Sequence, residues 1–142
     1  MSGEGDERGG AGPPAWARRA EVKPSEAGPR VTIVGPCASG KTTLVAHLRE
    51  RGLDAHAVAQ EHSGVPYLWQ LAEPDLLIFL DVDLPTTAAR RQREWPAALH
   101  ETQHGRLAHA RRHADLYLDS SPLGPDEVAE RVAAFVAARS GR

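Results

Sequence analysis

From residue 31 onward, short apolar runs alternate with amphipathic segments. Four runs are aliphatic or β-branched and are bounded by turn-forming or charged residues, which predicts strands. They cover residues 31–34, 55–59, 75–83 and 116–118. Apolar residues recur at helical spacing in residues 42–51, 85–93, 97–114 and 125–138. Strands that alternate with helices predict an α/β fold: a three-layer domain with a parallel sheet of about four strands and helices on both faces.

Residues 1–30 have a different composition. They hold six Gly, four Pro, five acidic and five basic residues, and Trp16 is their one large apolar side chain. Such a segment buries too little apolar surface to offset its loss of conformational entropy on ordering. We therefore expect a disordered tail over 1–30 and one P-loop nucleotide-binding domain over 31–142.

A glycine-rich motif links the first predicted strand to the first predicted helix. It matches the phosphate-binding pattern GxxxxGK[ST] in full, a pattern that requires this strand–loop–helix context. Its first glycine allows the sharp turn after the strand, and its second lets backbone amides approach the phosphates. The predicted nucleotide contacts are Gly35, Pro36, Cys37, Ala38, Ser39, Gly40, Lys41, Thr42 and Thr43.

Three residues at the end of this motif have predicted roles of their own. Lys41 reaches the β- and γ-phosphates, the Thr42 hydroxyl ligates Mg²⁺, and Thr43 contacts the α-phosphate. The chain has 15 Arg and 2 Lys, and Lys41 is its single lysine beyond residue 30. Because Arg cannot replace a compact ammonium at such a position, this usage agrees with the motif. The predicted ligands are a nucleoside triphosphate, ATP, with Mg²⁺.

Charge and cysteine usage narrow the classes of partner. The net charge is −2, which gives no electrostatic case for nucleic acid or an anionic membrane. Cys37 is the single cysteine, so no internal disulfide can form, and a reducing cytoplasm is expected. No apolar run approaches the roughly 20 residues that span a bilayer. The expected partners are therefore the nucleotide and a small molecule, and the oligomeric state is not indicated.

The motif resembles the GxxGSGKST loop of the nucleoside and nucleotide kinases, the group of adenylate, shikimate and gluconate kinases. Ala38 replaces the middle glycine of that loop. Residues 74–82 are similar to the group's PD-hydrophobic-LDV strand, residues 86–93 to its helix and basic lid, and residues 114–132 to its last strand and final helix. The chain has no Asn and so no NKxD guanine-recognition motif, which favours ATP over GTP.

The resemblance implies an ATP-dependent small-molecule kinase whose acceptor is unidentified. Kinases of this group are usually longer and carry a separate lid and an acceptor-binding insert, for which this chain has little room. Two alternatives therefore stand beside the kinase: a regulatory module that binds ATP without transferring phosphate, and a slow NTPase within a larger assembly.

Two carboxylates compete for the catalytic and Mg²⁺-linked role. Glu61 follows the second predicted strand, and Asp81 ends the most apolar one, so either could lie in the crevice at the carboxyl ends of the strands. Glu61 is the preferred catalytic acid and, with Thr42, the preferred metal ligand. Asp81 remains the alternative.

Other candidates are basic or aromatic. Arg90 is the predicted catalytic arginine, with Arg91 and Arg93 nearby, and would neutralise charge on the transferring phosphoryl group. An exposed face of solvated arginines is the alternative for all three. Aromatic residues after Glu61 could wall an acceptor pocket or belong to the core, and His62 could contact substrate. These aromatic residues are Tyr67 and Trp69.

Four histidines in the third predicted helix form two pairs at i, i+4 spacing. They are His100, His104, His109 and His113. This spacing can present two metal ligands. No cysteine or carboxylate pattern completes a site there, so a solvated helix face is the preferred interpretation.

Overall fold

A computed structural model describes residues 28–140. Its strands are β1 Arg30–Val34, β2 Asp54–Ala57, β3 Leu76–Asp81 and β4 Leu116–Asp119. Its helices are α1 Lys41–Glu50, α2 Leu84–Arg91, α3 Ala97–His113 and α4 Pro125–Ser140. Two 3-10 turns, Gln60–His62 and Leu68–Ala72, lie between β2 and β3. The predicted tail falls outside the described residues up to position 27.

The four strands form one parallel sheet in the order β2-β1-β3-β4. In the middle of the sheet, Ile33 of β1 is paired with Ala57 of β2 and with Ile78 of β3. The chain adds β2 on one side of β1 and then crosses to place β3 on the other side. In open α/β sheets, the carboxyl ends of strands at such a reversal border a ligand crevice.

Apolar residues cover both faces of the sheet. One buried cluster joins alternate strand residues such as Ile33 and Ile78 to Leu48 of α1 and Val132 of α4. On the opposite face, Phe79 packs in a second cluster with side chains of α3 and of the Leu68–Ala72 turn. Helices therefore lie on both faces, and the predicted three-layer α/β fold is confirmed.

The element boundaries differ from the prediction by at most two residues, and the end of α2 is the most informative difference. This helix ends at Arg91 because Gln92 adopts a left-handed conformation with φ 58°. Arg93 therefore lies beyond the helix, and the predicted extension of this helix to residue 93 is wrong. Among the described residues, none of the helices is long and apolar enough to cross a membrane.

Candidate functional site

The loop after β1 runs in close contact with the end of β3. An added Cβ at Gly35 would lie 2.0 Å from the carbonyl oxygen of Leu80 and 2.9 Å from Ser39 Oγ. Side chains are therefore excluded at position 35. At the other end of the loop, Gly40 precedes α1 with φ 99°, which L side chains rarely adopt. Steric constraints therefore favour glycine at both positions of the motif.

Ala38, at the centre of the loop, has a left-handed backbone with φ 67°. This conformation costs a non-glycine residue roughly 1–2 kcal/mol because Cβ crowds the neighbouring carbonyl. The loop therefore stores backbone strain at this position.

Replacing Ala38 by glycine should stabilise the protein. Glycine relieves the left-handed strain in the folded state, and this gain exceeds the free energy that its extra conformational entropy contributes to the unfolded state. We therefore expect Ala38→Gly to raise the free energy of unfolding by about 0.5–1 kcal/mol. Urea denaturation measures the change. The matched control is Ala46→Gly at an exposed position of α1, which should destabilise by about 1 kcal/mol. A loss of stability in Ala38→Gly would contradict the strained loop.

Lys41 folds back over the loop instead of extending into solvent. Its ammonium donates to the carbonyl oxygens of Gly35 at 2.7 Å and Pro36 at 3.2 Å. It also forms an ion pair with Glu61, with Nζ 2.9 Å from Oε2. The side chains of Lys41 and Glu61 are only 12% and 5% exposed. A largely buried ion pair therefore bridges the loop and the segment after β2.

Glu61 is held in place by the 3-10 turn in which it lies. The buried Gln60 side chain donates to the carbonyl of Val65 at 2.7 Å and accepts from the amide of Trp69 at 2.9 Å. Arg106 of α3 donates to the backbone carbonyl of Glu61 at 3.2 Å. The second carboxylate oxygen of Glu61, Oε1, is buried without a hydrogen-bond partner in the described part of the chain. Buried polar atoms are rarely left unpaired, so this oxygen has an unmet hydrogen-bonding demand.

A cavity of about 430 Å³ opens at this ion pair. Its walls come from the loop, the first turn of α1, the residues that follow β2, and Arg91. Lys41, Thr42, Thr43, Glu61 and His62 all line it. The structure thus brings the predicted lysine, both threonines and the preferred carboxylate together at the carboxyl ends of β1 and β2.

A second cavity, of about 480 Å³, lies on the other side of the loop. Gly40 and Thr43 line it together with Ser120 and Leu123 from the segment that joins β4 to α4, and with Pro125 at the start of α4. Nothing in the local sequence marks this segment as part of a site, because its proximity to the loop arises only from the sheet order.

Arg90 forms hydrogen bonds with the loop and with the segment after β4. Its guanidinium donates to the carbonyl of Ala38 at 2.7 Å, to Ser120 Oγ at 3.1 Å and to the Ser120 carbonyl at 2.8 Å. The guanidinium groups of Arg91 and Arg93 lie over the Trp95 ring, 5.4 and 5.2 Å from its centroid. All three arginines therefore have protein partners, and Arg90 holds the loop to the β4–α4 connection.

Asp81 has partners other than the loop lysine. Its carboxylate accepts from Tyr117 OH at 2.5 Å, from the Val82 amide at 2.8 Å, and lies 2.9 Å from His104 Nε2. Burial alone would raise the pKa of Asp81, but the hydrogen bonds from Tyr117, His104 and Val82 outweigh it and lower the pKa below 3.8. The same burial and contact raise the pKa of Tyr117 to about 12. Asp81 thus stabilises the contact of β3 with α3 and β4.

The Asp81 carboxylate should make stability depend on pH in acid. Because its folded-state pKa lies below the ordinary value of 3.8, its contribution is complete above that value and is lost as pH falls through the folded-state pKa. Asp81→Asn should lower the free energy of unfolding by about 1–3 kcal/mol at neutral pH. The deficit should shrink below pH 3.8. Urea titrations across pH measure it, with Asp126→Asn, at a side chain 95% exposed, as the control. A deficit independent of pH would contradict this role.

Cys37 contacts a residue that the sequence analysis did not single out. Gln103 of α3 accepts from the Cys37 amide through Oε1 at 3.0 Å, and its Nε2 donates to Cys37 Sγ at 3.1 Å. His62 Nε2 lies 3.6 Å from the same sulfur. Gln103 is separated from the loop by 66 residues, so no local pattern could have indicated this contact.

The remaining aromatic and histidine candidates divide between core and surface. Trp69 is buried in the second core cluster and donates to His109 Nδ1 at 3.0 Å, whereas Tyr67 is 54% exposed. Since His104 bonds Asp81 and His109 bonds Trp69, the interpretation of the α3 histidines as a solvated face is wrong for these two. His100 and His104 stack with ring centroids 4.3 Å apart.

Neither a protein-family model nor a curated protein matches this chain. The functional interpretation therefore depends on the site itself.

Proposed function

We propose that the chain is a P-loop protein that binds Mg-ATP and transfers its γ-phosphoryl group to a small-molecule acceptor. The observation that carries the proposal is the Lys41–Glu61 pair. It joins a full phosphate-loop motif to a buried carboxylate inside a cavity at the carboxyl ends of β1 and β2. The loop would bind phosphate, and Glu61 would hold Mg²⁺ or orient the acceptor hydroxyl.

Several features of the loop favour a polyphosphate. The first amides of a helix have no carbonyl partners within it, and its N-terminal end carries partial positive charge. α1 has ten residues and no acidic residue in its first turn, so no carboxylate there would repel an anion. Lys41 adds a full positive charge at the same place. A phosphate entering the cavity would compete with Glu61 for this ammonium.

The donor set also fits Mg²⁺. The Thr42 hydroxyl and the unpaired Glu61 Oε1 belong to residues that line one cavity, and hard oxygen atoms are the ligands that Mg²⁺ prefers. When bound with the nucleotide, Mg²⁺ would neutralise charge on the β- and γ-phosphates. Glu61 would then hold the ion directly or through water, and Lys41 would be free to contact the phosphates.

The cavity beside Gly40 and Thr43 supports a place for the nucleoside. Its volume of about 480 Å³ lies within the roughly 300–1,000 Å³ typical of ligand sites. Leu44, Leu123 and Val128 supply apolar surface for a base, and Arg91 lies between the two cavities because it lines both. A triphosphate across the loop would therefore place its base and its γ-phosphate on opposite sides of it.

Transfer itself is tested with labelled ATP and a panel of hydroxyl-bearing small molecules. We expect the wild type to label at least one acceptor. Lys41→Met should lower the transfer rate by at least about 100-fold, which is the usual effect of removing one group that stabilises charge in the transition state. Lys23→Met, at the chain's other lysine, is the matched control and should keep full activity. Transfer that survives Lys41→Met would contradict the proposed role of the loop.

A second candidate function is an ATP-binding module without transfer. It is favoured by Arg90, because this predicted charge-neutralising arginine already bonds the Ala38 carbonyl and Ser120. ATP binding with neither transfer nor hydrolysis in the same panel would support this module. Hydrolysis of ATP without an acceptor would instead support a slow NTPase.

A further inference from the structure

Three different metal-ligating side chains converge on the wall of the cavity at Lys41. Cys37 comes from the loop after β1, while Glu61 and His62 come from the 3-10 turn after β2. One ligand atom of each lies within 4.8 Å of the other two. Among the residues that the structure describes, this is the one group of three such side chains that could hold an ion.

Two of the three spacings between these atoms are close to those around a tetrahedral ion. Zn–S and Zn–N bonds of ordinary length at a tetrahedral angle place sulfur and nitrogen about 3.6 Å apart, and nitrogen and oxygen about 3.4 Å apart. Cys37 Sγ lies 3.6 Å from His62 Nε2, and His62 Nε2 lies 3.6 Å from Glu61 Oε2. The sulfur and the Glu61 ligand oxygen lie within 4.8 Å of each other, and the His62 side chain is 58% exposed, so its ring can adjust to an ion.

Two further observations point to an ion at this place. The Glu61 side chain is 95% buried, and its Oε1 has no hydrogen-bond partner in the described structure, so the carboxylate keeps an unmet hydrogen-bonding demand. Gln103 directs its amide Nε2 at Cys37 Sγ, an orientation that is set because its Oε1 accepts from the Cys37 amide. Hydrogen bonds of this kind orient ligands around a metal.

We propose that Cys37, Glu61 and His62 form a Zn²⁺ site that goes beyond the Mg-ATP function. The soft thiolate and the imidazole select Zn²⁺ over Mg²⁺ or Ca²⁺, which take oxygen ligands. On binding, the Cys37 thiol releases its proton to solvent, and the fourth position is open to water. Where the proposed function also holds, Zn²⁺ and Mg-ATP exclude each other, because both require Glu61.

The positive charge of Lys41 weakens cation binding at the proposed Zn²⁺ site. Its ammonium, 2.9 Å from Glu61 Oε2, opposes a divalent cation on the same carboxylate. Removing this charge in Lys41→Met should tighten Zn²⁺ binding by at least about tenfold. The same variant should weaken Mg-ATP binding, because the contacts of Lys41 with the phosphates are lost. Failure of the ATP proposal and failure of the zinc proposal are therefore distinguishable.

The test uses the full chain without nucleotide. Zn²⁺ is titrated calorimetrically, and Co²⁺ is added as a spectroscopic probe. We expect one ion per chain and a sulfur-to-cobalt charge-transfer band in the near ultraviolet. Cys37→Ser should remove the band, and both Cys37→Ser and His62→Ala should weaken Zn²⁺ binding by at least about 10–100-fold. His47→Ala, at a histidine of α1 outside the cluster, should leave binding unchanged.

Circular dichroism confirms that each variant is folded before it is scored. Absence of the cobalt–sulfur band in the wild type would overturn the proposal. Zn²⁺ affinity that is the same in the wild type, Cys37→Ser and His62→Ala would overturn it as well, because the ion would then bind elsewhere.

Discussion

Gly35→Ala should be among the most destabilising single substitutions in this protein. The new methyl group would lie 2.0 Å from the carbonyl oxygen of Leu80, far inside contact distance. The obstacle is the backbone of the fully buried strand β3, which cannot move aside as a flexible side chain can. Overpacking typically costs about 1–3 kcal/mol, and a backbone clash lies at or above the top of that range. We expect at least about 3 kcal/mol from chemical denaturation, together with loss of nucleotide binding.

The matched control for this substitution is Gly64→Ala. Gly64 has no atom within 4 Å of an added Cβ and no positive φ, so its replacement should change stability by less than about 0.5 kcal/mol. If Gly35→Ala were as stable as Gly64→Ala, the close contact between the loop and β3 would be wrong, and with it the backbone conformation of the loop.

Removing Lys41 should destabilise the folded protein even without a nucleotide. Lys41→Met leaves the Glu61 carboxylate buried, with its Oε1 already unpaired, and breaking a buried ion pair in this way costs about 3–5 kcal/mol. Glu61→Gln should cost less, because the ammonium keeps the carbonyl oxygens of Gly35 and Pro36 as acceptors. The double variant should recover much of the loss of Lys41→Met, since no buried charge is then unpaired.

Denaturation of the four proteins in this cycle gives the coupling between the two side chains. Lys23→Met serves again as the control for the lysine substitution. If the effects of Lys41→Met and Glu61→Gln simply added in the double variant, the two groups would not be in contact, and the bridge between the loop and the turn after β2 would be refuted.

The sequence predicted the order and type of the elements well because their hydrophobic periodicities are distinct. β3 is the clearest case: its six residues are all buried, as expected of a strand covered on both faces. The glycine motif was expected to link a strand to a helix, and it lies between β1 and α1. Its role in phosphate binding stays a prediction. Predicted element ends were wrong where the conformation of one residue terminates the element, as at Gln92, whose left-handed conformation ends α2.

The wider site could not be predicted because it is assembled by the order of the strands. The pairing of Lys41 with Glu61 spans 20 residues, and the bonds of Arg90 to Ser120 span 30. Hydrophobic patterning reports which side of an element is buried, but not which polar group it meets. For the same reason the α3 histidines, which were interpreted as a solvated face, include one bound to Asp81 and one bound to Trp69.

The most direct test of the central claim is a calorimetric titration of Mg-ATP into the wild-type protein. It is run beside Lys41→Met, confirmed as folded at the working temperature, and beside Lys23→Met. We predict saturable binding at one site per chain in the wild type and in Lys23→Met, and none in Lys41→Met. Absence of binding to the wild type, or equal binding by Lys41→Met, would contradict the assignment of residues 35–43 as a nucleotide-binding loop.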